Sequence, residues 1–114
     1  MIITFATKKL EKQLNEQKAM VKIHGALRAK KLGVVLYQLR AAPNLGVFAL
    51  PMSPPHRCHE LAGNRKGQLT VDLDHPYRLI FTPNHHPLPM RPEGGLDWQQ
   101  VTNIEIKEIE DTHG

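Results

Sequence analysis

Hydrophobic and polar residues alternate in two neighbouring stretches of this chain, and each alternation predicts a β-strand. From Leu69 to Leu73 every second residue is apolar, with a threonine and an aspartate between them. From Tyr77 to Phe81 the alternation returns, and Arg78 belongs to the face opposite Tyr77 and Phe81. The connecting Asp74-His75-Pro76 has the composition of a turn. The two stretches therefore predict a β-hairpin with one apolar face.

A further strand is predicted near the end of the chain, from Val101 to Glu110. Ile104 and Ile106 alternate there with charged residues, as in a half-buried strand. The phase of the alternation changes at Glu108-Ile109. A change of phase inside a strand predicts a β-bulge or the end of the strand.

The N-terminal third predicts a short strand followed by two helices. Ile2, Ile3 and Phe5 indicate the strand, and Thr7 is a suitable N-cap for a helix from about Lys8 to Met20. A second helix is predicted from about Gly25 to Arg40. Its buried face would carry Leu32, Val35, Leu36 and Leu39, which recur at helical spacing, and its exposed face Arg28, Lys30 and Lys31.

The predicted order is strand, helix, helix, strand, strand, strand, in a single domain that covers residues 1–114. Two N-terminal helices ahead of an antiparallel meander predict an α+β fold, with the helices packed on one face of a small antiparallel sheet. The other face of the sheet is then left for function. Between the strands, residues 83–95 are too rich in proline and glycine for regular structure, and we expect a long loop there.

Composition points to a cytoplasmic protein that does not cross a membrane. No run approaches the roughly 18 apolar residues of a membrane span, and the first residues lack the apolar core of a signal peptide. One cysteine excludes an internal disulfide framework.

Charge is distributed unevenly along the chain. Residues 1–40 contain nine basic and two acidic side chains, whereas residues 91–114 contain two basic and six acidic ones. The basic end could face RNA, whose phosphates attract it without regard to sequence, or an acidic protein. It could equally do no more than solvate the outer faces of helices.

The segment around the predicted hairpin resembles a known family. The residues that carry the resemblance are His59-Glu60-Leu61, then Gly63 to Gln68, then Tyr77 to Phe81, and the ending Ile109 to His113. In this order and spacing they resemble the HigB-type killer toxins of the RelE/ParE superfamily, which belong to bacterial type II toxin-antitoxin systems. The resemblance covers nearly the whole chain.

The resemblance implies a RelE/ParE-like toxin that cleaves mRNA at the ribosome and is held inactive by a helix-turn-helix antitoxin of the HigA type. It implies His59, Arg78 and His113 as catalytic residues. The family has a lysine in the loop where this chain has Ala62. Arg65 and Lys66, with Gln68, are therefore the residues expected to bind the RNA phosphate, and the two basic ones could supply the missing charge.

These residue types also suit the chemistry by themselves. Cleavage by the RNA's own 2′-hydroxyl needs a base for that proton, an acid for the leaving 5′-oxygen, and cations on the developing phosphorane. Histidine can serve as either acid or base near neutral pH, and arginine offers a planar fork for phosphate oxygens. The sequence leaves open which of His59 and His113 is the base. No metal or other cofactor is expected, because His56, His85 and His86 lack companions at ligand spacing.

Three alternatives stay open from the sequence. Arg78 could be an ordinary residue on a half-exposed strand. The chain could be a non-enzymatic toxin of the ParE type that binds DNA gyrase, although a binder needs no acid/base pair. It could also be a degenerate binding module of the same fold, an alternative that Ala62 keeps open.

Overall fold

A computed structural model describes residues 1–49 and 57–111, and the elements follow the predicted order with two additions. The strands are β1 (Ile2–Phe5), β2 (His59–Glu60), β3 (Leu69–Asp72), β4 (Tyr77–Pro83) and β5 (Asn103–Asp111), and the helices are α1 (Lys8–Asn15), α2 (Gln17–His24) and α3 (Ala26–Ala41). The additions are the short strand β2 and a third helix.

The first predicted helix is divided in two, so the prediction of two N-terminal helices was wrong in number. Thr7 caps α1 as predicted, its hydroxyl accepting a hydrogen bond from the backbone N–H of Leu10. At Glu16 the backbone becomes extended, with φ −110° and ψ 116°. The break lets both short helices bury one residue each in the core, Leu14 from α1 and Met20 from α2. Gly25, with φ 82°, separates α2 from α3.

The five strands form one sheet in the order β1-β5-β4-β3-β2. The pairs β2–β3, β3–β4 and β4–β5 are antiparallel, which confirms the predicted meander. β1 is the exception, since it pairs parallel to β5. The connection between these two strands contains the three helices and strands β2 to β4, so it is long enough for a parallel pairing.

The hydrophobic core lies between the helices and one face of the sheet, which confirms the predicted α+β fold. Helix α3 contributes the buried face that its periodicity predicts, and the sheet contributes alternate residues of its central strands. The core residues of α3 and of β3 to β5 are Ala29, Leu32, Val35, Leu36, Leu39, Leu69, Val71, Leu79, Phe81, Ile104 and Ile106. Thr70 and Ile80 are also buried, but they lie outside this cluster because they point to the other face of the sheet.

Arg28 is not on the exposed face of α3, contrary to the prediction. Its Nε donates to Oδ1 of Asp74 at 3.0 Å, and its guanidinium lies 3.3 Å from the centre of the Tyr77 ring. Only 18% of its side chain is exposed. A charged residue that is largely removed from solvent needs such a partner, and this one comes from 46 residues away in the sequence. The contact ties α3 to the turn between β3 and β4.

The proline-rich loop of residues 83–95 has internal hydrogen bonds. The backbone N–H of Arg91 donates to the carbonyl of Gly95 at 2.9 Å, and that of Asp97 donates to Pro89 at 2.8 Å. Nε2 of His85 accepts hydrogen bonds from the backbone N–H groups of Thr102 and Asn103. The loop is therefore closed on itself and fastened to the start of β5.

Candidate functional site

The candidate site lies on the sheet face that turns away from the helices. Residues that are directly opposite each other on neighbouring strands share a face. His59 of β2 is opposite Thr70 of β3, which is opposite Ile80 of β4. One step along, Asp72, Arg78 and Glu110 form the next row. The pairing therefore places His59 and Arg78 on the same face.

His59 and Arg78 are separated by two strand spacings and by one row. Spacings of about 4.8 Å between strands and about 3.3 Å per residue put their Cα atoms roughly 12 Å apart. Both side chains are partly exposed. At this separation the side chains of His59 and Arg78 can both contact one phosphodiester group that lies between them.

A β-bulge in β5 determines which residues face this site. Ile80 is opposite Glu108 and Phe81 is opposite Ile106, so Lys107 is the extra residue. Of the two features that the change of phase predicts, a bulge or the end of the strand, the structure has the bulge, one residue before Glu108-Ile109. Without it, Glu108 and Glu110 would share the core-facing side of Ile106. With it, both glutamates face the site.

Arg78 is bound to Glu110 on the neighbouring strand. Its Nη2 lies 2.7 Å from Oε2 of Glu110, and its Nε donates to the same oxygen at 2.9 Å. Both side chains are 24% exposed. The planar fork is thus already occupied by an anionic oxygen, in the manner in which it would hold a phosphate oxygen.

Arg65 reaches the same carboxylate from a different element. It lies in a short 3₁₀ turn, Gly63–Arg65, within the loop that joins β2 to β3. Its Nη1 donates to Oε2 of Glu110 at 2.8 Å, and its Nη2 lies 3.5 Å from Oε1 of Glu108. Since β3 and β4 separate β2 from β5 in the sheet, the loop must extend across this face for the contact to form.

Two guanidinium groups therefore converge on a single carboxylate oxygen. Oε2 of Glu110 accepts hydrogen bonds from both arginines, and a phosphate oxygen is an acceptor of the same kind. The charges around it nearly balance, because Arg65 and Arg78 face Glu108 and Glu110. An anion that enters the site must displace Glu110 or share the arginines with it.

A small pocket of about 140 Å³ opens beside Arg78. It is lined by the turn between β3 and β4 and by Arg57, whose Nη1 lies 3.4 Å from Oδ2 of Asp72. Its lining therefore combines the basic side chains of Arg57 and Arg78 with the carboxylate of Asp72.

His59 begins the short strand β2, which the sequence did not predict. Its Nδ1 lies 2.9 Å from the backbone carbonyl of Arg57. A carbonyl can only accept, so Nδ1 carries the proton in this contact. That tautomer leaves Nε2 able to accept a proton.

Among the described residues, the other site residues that the sequence predicts do not join the contacts of Arg65 and Arg78 with Glu110. Lys66 is exposed at the end of the 3₁₀ turn, and Ala62 is exposed at its start. Gln68 is partly buried, and its Oε1 accepts no hydrogen bond among the described residues. His113 lies outside the described residues, so its role stays a prediction.

Sequence reasoning missed Glu108 and Glu110 as members of the site. A signal was present, because two glutamates recur at alternate positions of the last strand. It could be interpreted only with the register, which places Glu110 opposite Arg78.

Other chemistry is limited in the part of the chain that the structure describes. Burial, together with the smaller effect of the nearby Glu60 carboxylate, raises the pKa of the Cys58 thiol to about 12, so it is not a thiolate near neutral pH. Within residues 1–49 and 57–111, no three His, Cys, Asp or Glu side chains are grouped so as to hold a metal ion. In the same ranges, no helix has the length and apolar character that crossing a bilayer would require.

Comparison with known proteins does not assign this chain to a family. No protein-family model matches the chain, and no curated protein matches it significantly.

Proposed function

We propose that this protein is an endoribonuclease toxin of the HigB type, which cleaves mRNA at the ribosome through attack by the RNA's own 2′-hydroxyl. The observation that carries the proposal is the convergence of Arg65 and Arg78 on one anionic oxygen, on the same sheet face as His59. Arginines from a loop and from a strand are thereby aimed at one point, as the stabilisation of a phosphorane requires.

In the proposed reaction Nε2 of His59 takes the proton of the 2′-hydroxyl, and the 2′-oxygen attacks phosphorus. The bond to the 5′-oxygen breaks, and that oxygen receives a proton from the general acid. With His59 as the base, the acid is His113, the second catalytic histidine that the resemblance implies. The products are a 2′,3′-cyclic phosphate and a 5′-hydroxyl. The proton on Nδ1 of His59 supports its role as the base.

The toxin family has a lysine at the loop position that is Ala62 in this chain. In the proposed mechanism Arg65 supplies the positive charge of that lysine. Its guanidinium already reaches across the sheet to the oxygen that Arg78 holds, whereas Lys66 is exposed and makes no such contact with that oxygen. In the proposed complex a phosphate oxygen of the RNA exchanges with Oε2 of Glu110 between the two arginines.

The partners of such a toxin are the ribosome, its mRNA and a helix-turn-helix antitoxin, and its location is the cytoplasm. These assignments rest on the resemblance and on the composition of the chain.

The pairing of both arginines with glutamates favours a second candidate, a binding module that has kept the fold without catalysis. In that case Glu110 would be a permanent structural partner of Arg78 rather than one that a phosphate displaces.

The chemistry of the products separates the two candidates. The purified chain is incubated with a short RNA, alone and on programmed ribosomes, and the new ends are analysed by mass spectrometry. We expect 2′,3′-cyclic phosphate ends, and no cleavage when the nucleotide before the scissile bond is 2′-deoxy. Intact RNA under both conditions would support the binding module, and 5′-phosphate ends would exclude the proposed chemistry.

A further inference from the structure

Large apolar side chains are exposed on the helical side of the molecule, far from the candidate site in the fold. Of the nine such side chains among the described residues, five belong to α2 and α3: Val21, Ile23, Leu27, Val34 and Tyr37. Leu27 is 63% exposed and Tyr37 is 71% exposed. Scattered exposed apolar residues need no explanation, whereas a contiguous apolar patch is typical of an interaction site.

On α3 these residues follow the spacing of a coiled-coil seam. Leu27, Lys30, Val34, Tyr37 and Ala41 are separated by three, four, three and four residues, and all five are exposed. We call this set the outer seam. At 100° per residue it lies opposite the buried face of α3, which carries Leu32, Val35, Leu36 and Leu39. Helix α3 thus has one apolar face in the core and a second one in solvent.

The charged residues of the segment that carries the outer seam have one sign. From Gln17 to Ala49 the sequence contains six lysines and arginines and no aspartate or glutamate. Lys31 and Arg40 occupy the positions that flank a seam of this spacing, where coiled coils make ion pairs with their partner helix. Lys30 lies within the seam itself. Arg28 is the one basic residue of this segment whose ion pair lies inside the described fold.

We propose that the outer seam is a docking surface for an acidic amphipathic helix of a partner protein. The apolar residues of that helix would cover Leu27, Val34 and Tyr37, and glutamates or aspartates beside them would pair with Lys31 and Arg40.

A second copy of this chain fits the seam less well. Pairing α3 with itself would bring lysines and arginines against lysines and arginines, and like charges across such a seam disfavour the pair. RNA also fits less well, because phosphates gain nothing from three exposed apolar side chains at the centre of the surface.

The proposal is independent of RNA cleavage. The helices cover one face of the sheet, and Arg65, Arg78 and Glu110 occupy the other. A partner on the outer seam would leave the arginine face open to solvent.

The test uses the full chain and a synthetic three-heptad peptide with leucine at the seam positions and glutamate at the flanking ones. Its binding is followed by amide chemical shifts and by fluorescence anisotropy. We expect shifts along the exposed side of α3. Val34→Ser with Tyr37→Ser should weaken binding at least tenfold, and Lys31→Glu should weaken it and reduce its salt dependence. Leu88→Ser, at an apolar residue exposed elsewhere, is the matched control and should bind as the unaltered chain does.

Several results would overturn the proposal. One is no binding of the peptide, and another is equal binding by the Val34→Ser, Tyr37→Ser chain after circular dichroism has shown that it is folded. A third is perturbation of the seam by a uridine oligonucleotide and not by the peptide, which would assign the surface to RNA. A fourth is a dimer in sedimentation that the two serine substitutions dissociate, which would assign it to a second copy.

Discussion

Arg78 and Glu110 are directly opposite each other on neighbouring strands, and the arginine holds one carboxylate oxygen through both Nη2 and Nε. Arg65 binds the same oxygen from across the sheet. The bulge at Lys107 is what brings Glu110 to this face. The candidate site is therefore a cluster of two arginines around an internal anion, with His59 nearby on the same face.

Removing the internal anion should favour an external one. Glu110→Gln keeps the shape of the side chain and removes its charge, so the two arginines would be less neutralised. We expect the affinity for a short single-stranded RNA to rise about three- to tenfold, measured by fluorescence anisotropy at low salt. Glu105→Gln is the control, because Glu105 pairs with Lys107 and not with these arginines. Equal affinities in the two variants would show that Glu110 does not compete for the arginines.

Arg65 and Lys66 are adjacent but should differ in their effect on catalysis. Arg65 reaches the oxygen held by Arg78, whereas Lys66 is exposed. We expect Arg65→Ala to lower kcat by about 10²-fold, which is typical of the loss of one donor to a developing oxyanion. Lys66→Ala should change kcat less than about threefold and weaken binding mainly at low salt. The reverse order of effects would assign the phosphate contact to Lys66.

His24 should make the stability of the fold depend on pH. Burial lowers the pKa of His24, and Arg28 nearby lowers it further, while Asp74 acts in the opposite direction. Its Nε2 is buried without a hydrogen bond among the described residues. The folded state therefore favours neutral His24, so the unfolded chain binds the proton more tightly. The stability that neutral His24 contributes is present above about pH 6.5 and is lost as the pH falls through the lowered pKa.

Urea unfolding at about pH 7.5 and about pH 5 measures this effect. The stability lost between the two values should be smaller in His24→Gln than in the unaltered chain. His86→Gln, at an exposed histidine, is the control and should keep the full loss. An unchanged pH dependence in His24→Gln would contradict the assignment.

The contact of Arg28 with Asp74 and Tyr77 should contribute to stability. Arg28→Ala removes two hydrogen bonds to a carboxylate and leaves Asp74 partly buried without this partner. We expect a loss of roughly 1–3 kcal/mol in the free energy of unfolding. Lys31→Ala, on the exposed side of the same helix, should change it by less than about 0.5 kcal/mol. Similar losses of unfolding free energy in both variants would show that the contact of Arg28 with Asp74 and Tyr77 does not stabilise the fold.

Local patterns predicted much of this fold. Alternation in the hairpin and in β5 predicted three strands and a bulge, and the spacing of Leu32, Val35, Leu36 and Leu39 predicted the buried face of α3. These succeeded because each depends on residues that are close in the sequence and that share one environment.

Features that depend on distant residues escaped prediction. The break at Glu16 lies in a segment without proline or glycine, so the sequence around it does not mark the end of a helix. Strand β2 has two residues, too few for a pattern. Arg28 looked like a surface residue because its partner Asp74 is 46 positions away.

The candidate site could be predicted only in part, because some of its contacts also join residues that are distant in the sequence. The resemblance predicted His59, Arg65 and Arg78 as site residues, and the register places His59 and Arg78 on one face. The sequence did not predict that glutamates neutralise the arginines of the site, because Glu110 contacts Arg78 only through the pairing of β4 with β5. The assignment of His113 stays a prediction.

The most direct test of the central claim is a map of mRNA 5′ ends in bacteria that express this chain. We expect new ends in phase with codons for the unaltered chain and for Arg91→Ala, a control at an exposed arginine of the proline-rich loop. The ends should disappear in Arg78→Ala, and in Arg78→Lys they should fall sharply, because lysine keeps the charge but loses the fork. Codon-phased ends that persist in folded Arg78→Ala, or DNA damage with intact mRNA, would contradict the account.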